Sequence, residues 1–371
     1  MKIAILFLFL IRNASAVAQY PFEIKGSIPD LFNNKKIYLV VWDRYSDHKY
    51  IKRDSATIKN NSFSFSGTIN KPSEEAQIYI KHITGFYAFV IDTGFNQINV
   101  GLVSPKSSVY KNKLSNAEVV ASRSNELNTQ IYDLINHYYQ TKAKPSVKNK
   151  NILQLDQKDA TELIRKEQEI IRKFPNTYYS LIRLYLMVNH SVSTNDLMDV
   201  YNSFNKELKS SPLALEFCEN IRLKRSVTIG NKVGDFAIKT DSDSLLTAQA
   251  MLGKTYLLAF GATWCKPCKE RLPMLKHLHQ KYNGSGFQVV YVNLDEQTDT
   301  WKKQIAEHNM KWINVSERVK WQDSRMAKLF HVTAVPFYLV IDQTGKIVYN
   351  PSELKDFEYK QLEKSITKSL D

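Results

Sequence analysis

Thr255-Tyr256-Leu257-Leu258-Ala259-Phe260, then Trp264-Cys265-Lys266-Pro267-Cys268, then Leu272, Leu275, Leu278 and Tyr282 at helical spacing decide the reading of this chain. A Cys-x-x-Cys alone is a weak pattern, but between an apolar strand and an amphipathic helix it is a specific one. A helix that starts in the second half of the motif turns its unpaired N–H groups and positive dipole end toward the first sulfur, and Lys266 adds positive charge there. A thiolate is stabilised, so Cys265 is the expected nucleophile. Cys268, one turn on and facing inward, attacks the mixed disulfide that Cys265 forms and leaves a Cys265–Cys268 disulfide behind. Pro267 suits the first helical turn, where its missing N–H costs nothing.

Competing uses of two cysteines fit less well. Zinc needs four ligands, and His277 and His279 follow Cys268 at spacings that match no common finger, so no metal is expected. A purely structural disulfide closing so short a loop stabilises little. A peroxide-reducing Pro-x-x-x-Thr-x-x-Cys pattern is absent, because Leu258 and Ala262 hold the positions of the Pro and Thr.

Outward from the motif, strand and helix alternate to the end of the chain, which implies a wound α/β domain over 229–371. Strands are expected at Thr255–Phe260, Phe287–Leu294, Phe337–Ile341 and Lys346–Tyr349, and helices at Thr300–His308, Ser324–Phe330 and from about Asp356 to Leu370. Before it, 116–228 repeats apolar residues at helical spacing, as in Leu127, Ile131, Leu134, Ile135 and Tyr138. Asp156, Asn176 and Ser193-Thr194-Asn195 fit helix starts, and Pro175 and Pro212 mark breaks. Cys218, among Leu213, Leu215, Phe217 and Ile221, reads as a small core residue.

Residues 19–115 read as an all-β, sandwich-like domain. Ile37-Tyr38-Leu39-Val40-Val41-Trp42, Ser62-Phe63-Ser64-Phe65-Ser66 and Ile78-Tyr79-Ile80 are its strands, with turn signals at Asn33-Asn34, Asn60-Asn61, Gly67, Gly85 and Gly94. His48 and His82 have no ligand types nearby at metal spacing. The fold class is therefore multidomain: all-β, then helical, then α/β.

With 371 residues, 43% hydrophobic and 24% charged, the composition excludes collagen-like and disordered classes. Three cysteines allow one intramolecular pair and leave one thiol over. The excess of 51 Lys+Arg over 37 Asp+Glu is scattered in short groups without an aromatic-interleaved basic stripe, so it reads as solvated surface and not as a nucleic-acid site. Residues 1–18 combine Lys2, an apolar run from Ile3 to Ile11 too short to span a bilayer, and Ala14-Ser15-Ala16-Val17-Ala18, which together read as a signal peptide cleaved near Ala16 or Ala18. Arg12 lies close to that site and keeps an uncleaved anchor as the minor alternative. Export would place the thiols in an oxidising environment.

The C-terminal zone resembles the thioredoxin superfamily and, within it, the exported TlpA/ResA-like thiol:disulfide oxidoreductases. The residues that carry this are Trp-Cys-x-x-Cys, Gly253-Lys254, Pro273, Asp295 and Val332-Thr333-Ala334-Val335-Pro336. The resemblance implies a cis Val335–Pro336 bond beside the sulfurs. It also implies a substrate-binding surface of Trp264, Val335 and Pro336, with the Val335 backbone pairing to an extended substrate segment. It implies a periplasmic enzyme acting on protein disulfides, as a reductase fed by a membrane electron donor or another thiol–disulfide protein, as in cytochrome c maturation. No cofactor beyond the redox-active disulfide is called for. Oxidation or isomerisation is the alternative, as is a non-enzymatic binding or sensor protein whose cysteine pair locks a conformation. The first two zones resemble regions ahead of the thioredoxin domain in exported proteins of Gram-negative bacteria, where partner binding, presentation of the redox domain and homodimerisation are the roles open to them.

Two departures stand out. The family's Glu three residues after the second cysteine is Arg271 here, with Glu270 one place early, and the buried Asp of cytosolic thioredoxins falls at Ala259. Lys266 and Arg271 make the expected site electropositive, which favours the thiolate and a potential less negative than the −270 mV or so of thioredoxin.

Overall fold

The structure, a computed structural model, describes residues 19–43, 49–83, 86–101, 117–145, 153–190 and 192–370. Residues 1–18, expected as a signal peptide, His48 and the turn position Gly85 lie outside them. Two compact units result: Met1–Arg183 with Ser203–Leu208, and Leu184–Asn202 with Lys209–Asp371.

The first unit holds β1 (Tyr20–Ser27), β2 (Lys36–Asp43), β3 (Lys49–Thr57), β4 (Ser62–Ile69), β5 (Ser73–Ile80), β6 (Tyr87–Asp92), β7 (Gly94–Val100) and β8 (Ala117–Val120). They form two four-stranded sheets, ordered β4-β1-β7-β8 and β3-β2-β5-β6. Alternation decides which face is dry: Phe22 and Ile24 are buried while Glu23 and Lys25 are exposed. Ile24, Phe65 and Ile98 of one sheet share a core with Leu39, Ile78 and Ile91 of the other, which makes this a β-sandwich. Asn60 and Asn61, with φ of 48° and 58°, turn the chain from β3 into β4. Gly67, read as a turn, lies inside β4 opposite Phe22.

Helix α1 (Arg123–Thr141) is capped by Ser122, and its Asn125 donates to the Val90 carbonyl at 2.7 Å and accepts from the Val90 N–H at 2.8 Å. That contact covers the β6 edge of the second sheet. A short ladder, β9 (Lys144–Pro145) with β10 (Leu153–Gln154), precedes α2 (Gln157–Arg172), whose N-cap is Asp156 as its sequence suggests. Helices α3 (Tyr178–Met187), α4 (Thr194–Asn202), α5 (Lys206–Lys209) and α6 (Pro212–Ser226) follow, and the helical stretch is shared between the two units.

The second unit continues with the hairpin β11 (Ala237–Lys239) and β12 (Leu245–Thr247) and a five-stranded sheet. Its strands are β13 (Thr255–Gly261), β14 (Phe287–Asn293), β15 (Ile313–Ser316), β16 (Phe337–Ile341) and β17 (Ile347–Tyr349), in the order β15-β14-β13-β16-β17. β13 runs parallel to β14 and antiparallel to β16, so it is central, and every one of its residues is buried. That is why it reads as a continuous apolar run. Helices α7 (Lys266–Tyr282), α8 (Thr298–Glu307), α9 (Arg325–Leu329), α10 (Pro351–Leu354) and α11 (Leu362–Leu370) complete the unit.

Besides Gly67, three features differ from expectation. Cys218, expected as a core residue, is only partly buried, and Leu215 near it is 65% exposed. Edge strand β15 is too short to announce itself. The last helix starts at Leu362, not near Asp356, because Lys355 and Tyr359 adopt φ of 54° and 62° and break the helical path. Asp356 instead accepts hydrogen bonds from the backbone of Lys360 and Gln361 and from the Tyr349 hydroxyl.

Candidate active site

Cys265 is the N-cap of α7 and Lys266 and Pro267 open its first turn, with Cys265 only 5% and Cys268 only 2% exposed. The two sulfurs form a disulfide of 2.07 Å with Cα atoms 5.3 Å apart. The Cys268 N–H points at Cys265 Sγ at 3.1 Å, so an unpaired donor of the helix start is aimed at the first sulfur, as the motif's placement requires. The Val335 carbonyl oxygen also stands 3.7 Å from Cys265 Sγ, and the Val335–Pro336 bond is cis. The Tyr359 hydroxyl donates to the Pro336 carbonyl at 2.5 Å. Burial pushes that phenol up to about 12 against the opposing charge of Arg271, so it keeps its proton.

The flanking charges settle differently. Lys266 and Glu270 are exposed and face each other at 4.0 Å, so the Glu270 carboxylate lies on the solvent side of α7. Arg271 lies over the Tyr359 ring, 5.5 Å from its centre.

Trp264, 56% exposed, stacks on Trp321 with ring centres 5.5 Å apart. They wall a groove of about 540 Å³ that Thr263, Leu294, Asp295 and Lys320 also line. Buried Asp295 accepts from the Thr263 N–H at 3.0 Å, from the Thr263 hydroxyl at 2.8 Å and from Asn293 Nδ2 at 2.7 Å. Thr263, Trp321, Tyr359 and Tyr291 carry no motif that singles them out. Asp295 is marked by its place after a strand and by the resemblance, neither of which points to Thr263 as its partner.

Fold and site define a class, and comparison with known proteins agrees. Residues 253–347 match the family described as Thioredoxin-like, and residues 22–128 match DUF4369, a domain of unknown function. The thiol-disulfide oxidoreductase ResA of Bacillus thuringiensis subsp. konkukian is 25% identical over 146 residues, which is 39% of this chain and 80% of that protein. The protein of the same name from Bacillus subtilis is 28% identical over 127 residues, 34% of this chain and 68% of its own. A solved thiol-disulfide oxidoreductase from Bacteroides fragilis is 22% identical, covering 34% of this chain and 98% of its own, with a TM-score of 0.31. The chain thus carries a thioredoxin-like domain of the thiol–disulfide oxidoreductase class behind a DUF4369 β region. Among the described residues, no helix is long and apolar enough to cross a membrane.

Proposed function

We propose that this protein exchanges disulfides with protein substrates through Cys265 and Cys268, as a reductase in the periplasm. The observation that carries the reading is the setting of Cys265 Sγ, which receives a helix N–H at 3.1 Å beside the exposed Trp264 groove. In the reduced enzyme the Cys265 thiolate attacks a substrate disulfide. That bond breaks, one substrate sulfur leaves as a thiolate, and a mixed disulfide forms. Cys268 then attacks Cys265 Sγ, the second substrate thiolate leaves, and two electrons have passed to the substrate. A membrane donor or another thiol–disulfide protein would restore the dithiol. Trp264, Trp321, Val335 and Pro336 would hold the segment around the substrate cysteine.

The test is insulin-disulfide reduction by the mature chain together with the potential of the Cys265–Cys268 couple. Turnover with a low potential supports a reductase. A potential near the −120 mV or so of a strong oxidant redirects the reading to oxidation. No reversible couple at all would sink it.

A further inference from the structure

Tyr291 on β14 pairs in register with Ala259 on β13, and both side chains lie in the cluster beneath α7 with Leu272 and Leu275. Ala259 ends at a methyl group. The phenol extends past it to Gly261, where a Cβ would stand 2.2 Å from Tyr291 Oη and 3.4 Å from Cys268 Cβ. The hydroxyl and Cys268 therefore border one spot, which the missing side chain of Gly261 keeps open. Tyr291 is 1% exposed, and its O–H finds no acceptor. The Gln304 amide Nε2 faces the phenol oxygen as a donor, which leaves the hydroxyl proton itself unclaimed.

A buried hydroxyl left unpaired is costly, and a disulfide sulfur is a poor acceptor. A thiolate is a strong one. We propose that Tyr291 donates a hydrogen bond to Cys268 once the disulfide opens, and so holds negative charge on the resolving sulfur. The proposal rests on the redox reading of the cysteine pair. Burial, with the Asp295 charge nearby, drives the phenol far above its ordinary value, so Tyr291 keeps its own proton throughout. The other charged groups around this point are engaged: Asp295 with Thr263 and Asn293, Glu270 with Lys266, and Arg271 over Tyr359. Lys269 is exposed on α7, and Tyr338 is buried on β16.

Cys268 gives its proton to water and attacks Cys265 Sγ. The Cys265–Cys268 bond forms, the bond from Cys265 to the substrate sulfur breaks, and that sulfur leaves with the electron pair.

The experiment titrates Cys268 by thiolate ultraviolet absorbance in the Cys265→Ser protein, with and without Tyr291→Phe, which keeps the ring and removes only the hydroxyl. Losing one hydrogen bond to a charged group shifts the thiolate–thiol equilibrium toward the thiol by about tenfold. Should the Phe variant not fold, the Tyr291 Cζ resonance is followed against pH in the Cys265→Ser protein, and it must move with the Cys268 titration. An unchanged titration, or a resonance indifferent to Cys268, overturns the proposal. Neither readout needs turnover, so a chain that fails to reduce insulin refutes the reductase reading separately.

Discussion

The carboxylate of Asp295 accepts both the backbone N–H and the hydroxyl of Thr263, two residues before Cys265. β14 and β13 are neighbours, so this clamp ties the end of one strand to the loop that leaves the other. It holds Trp264 and the first sulfur in place with charge-assisted bonds in a buried setting.

Replacing Asp295 by Ala leaves the Thr263 N–H and hydroxyl without their acceptor and leaves Asn293 Nδ2 only its 3.4 Å bond to Gln304 Oε1. Urea unfolding of the oxidised protein should show a loss of about 3 kcal/mol, and insulin reduction should slow by about tenfold. Asp295→Asn, which keeps one acceptor oxygen, should fall between. Wild-type turnover in the Ala variant would show that the clamp does not position the site.

The Trp264–Trp321 stack should matter to polypeptides and not to small disulfides. Trp321→Ala is expected to raise KM for a protein disulfide by about tenfold with kcat within about twofold, and to leave a small aliphatic disulfide unaffected. Equal losses on both substrates would mean that Trp321 supports the loop and not the substrate.

His331 gives a pH dependence. Burial, with the Lys224 charge adding, pushes it from 6.5 down to about 4, and its Nε2 has no partner. The unfolded chain therefore takes up this proton near pH 6.5 and the folded one only near 4. Stability is complete above pH 6.5, falls as pH drops toward 4, and is flat with respect to this group below that. The loss amounts to about 3 kcal/mol. Urea midpoints at pH 7 and 4.5 should differ in the wild type and converge in His331→Asn, a residue that tolerates the left-handed φ of 48°. An unchanged pH dependence in that variant would assign the effect elsewhere.

What could be read in advance follows from how far apart the partners lie. Cys265, Cys268 and the strand and helix around them are close in sequence, so spacing alone reveals the motif. The β-sandwich was visible in alternation, as at Phe63 and Phe65. Trp321 against Trp264, Asp295 against Thr263 and Tyr359 against Pro336 meet only through sheet register and loop return, which no local pattern encodes. Lys355 and Tyr359 take positive φ without being glycine, so the late start of the last helix had no residue to mark it. Glu270, one place short of the family's Glu position, has an exposed carboxylate that faces Lys266.

Trapping tests the central claim most directly. Cys268→Ala protein is reduced, mixed with a disulfide-bonded protein substrate, quenched with acid and examined by intact mass. The account predicts a covalent adduct through Cys265 that dithiothreitol releases, and none with Cys265→Ala. An adduct carried equally by both variants, or by neither while the wild type still turns over, would contradict the assignment of Cys265 as attacking and Cys268 as resolving thiol.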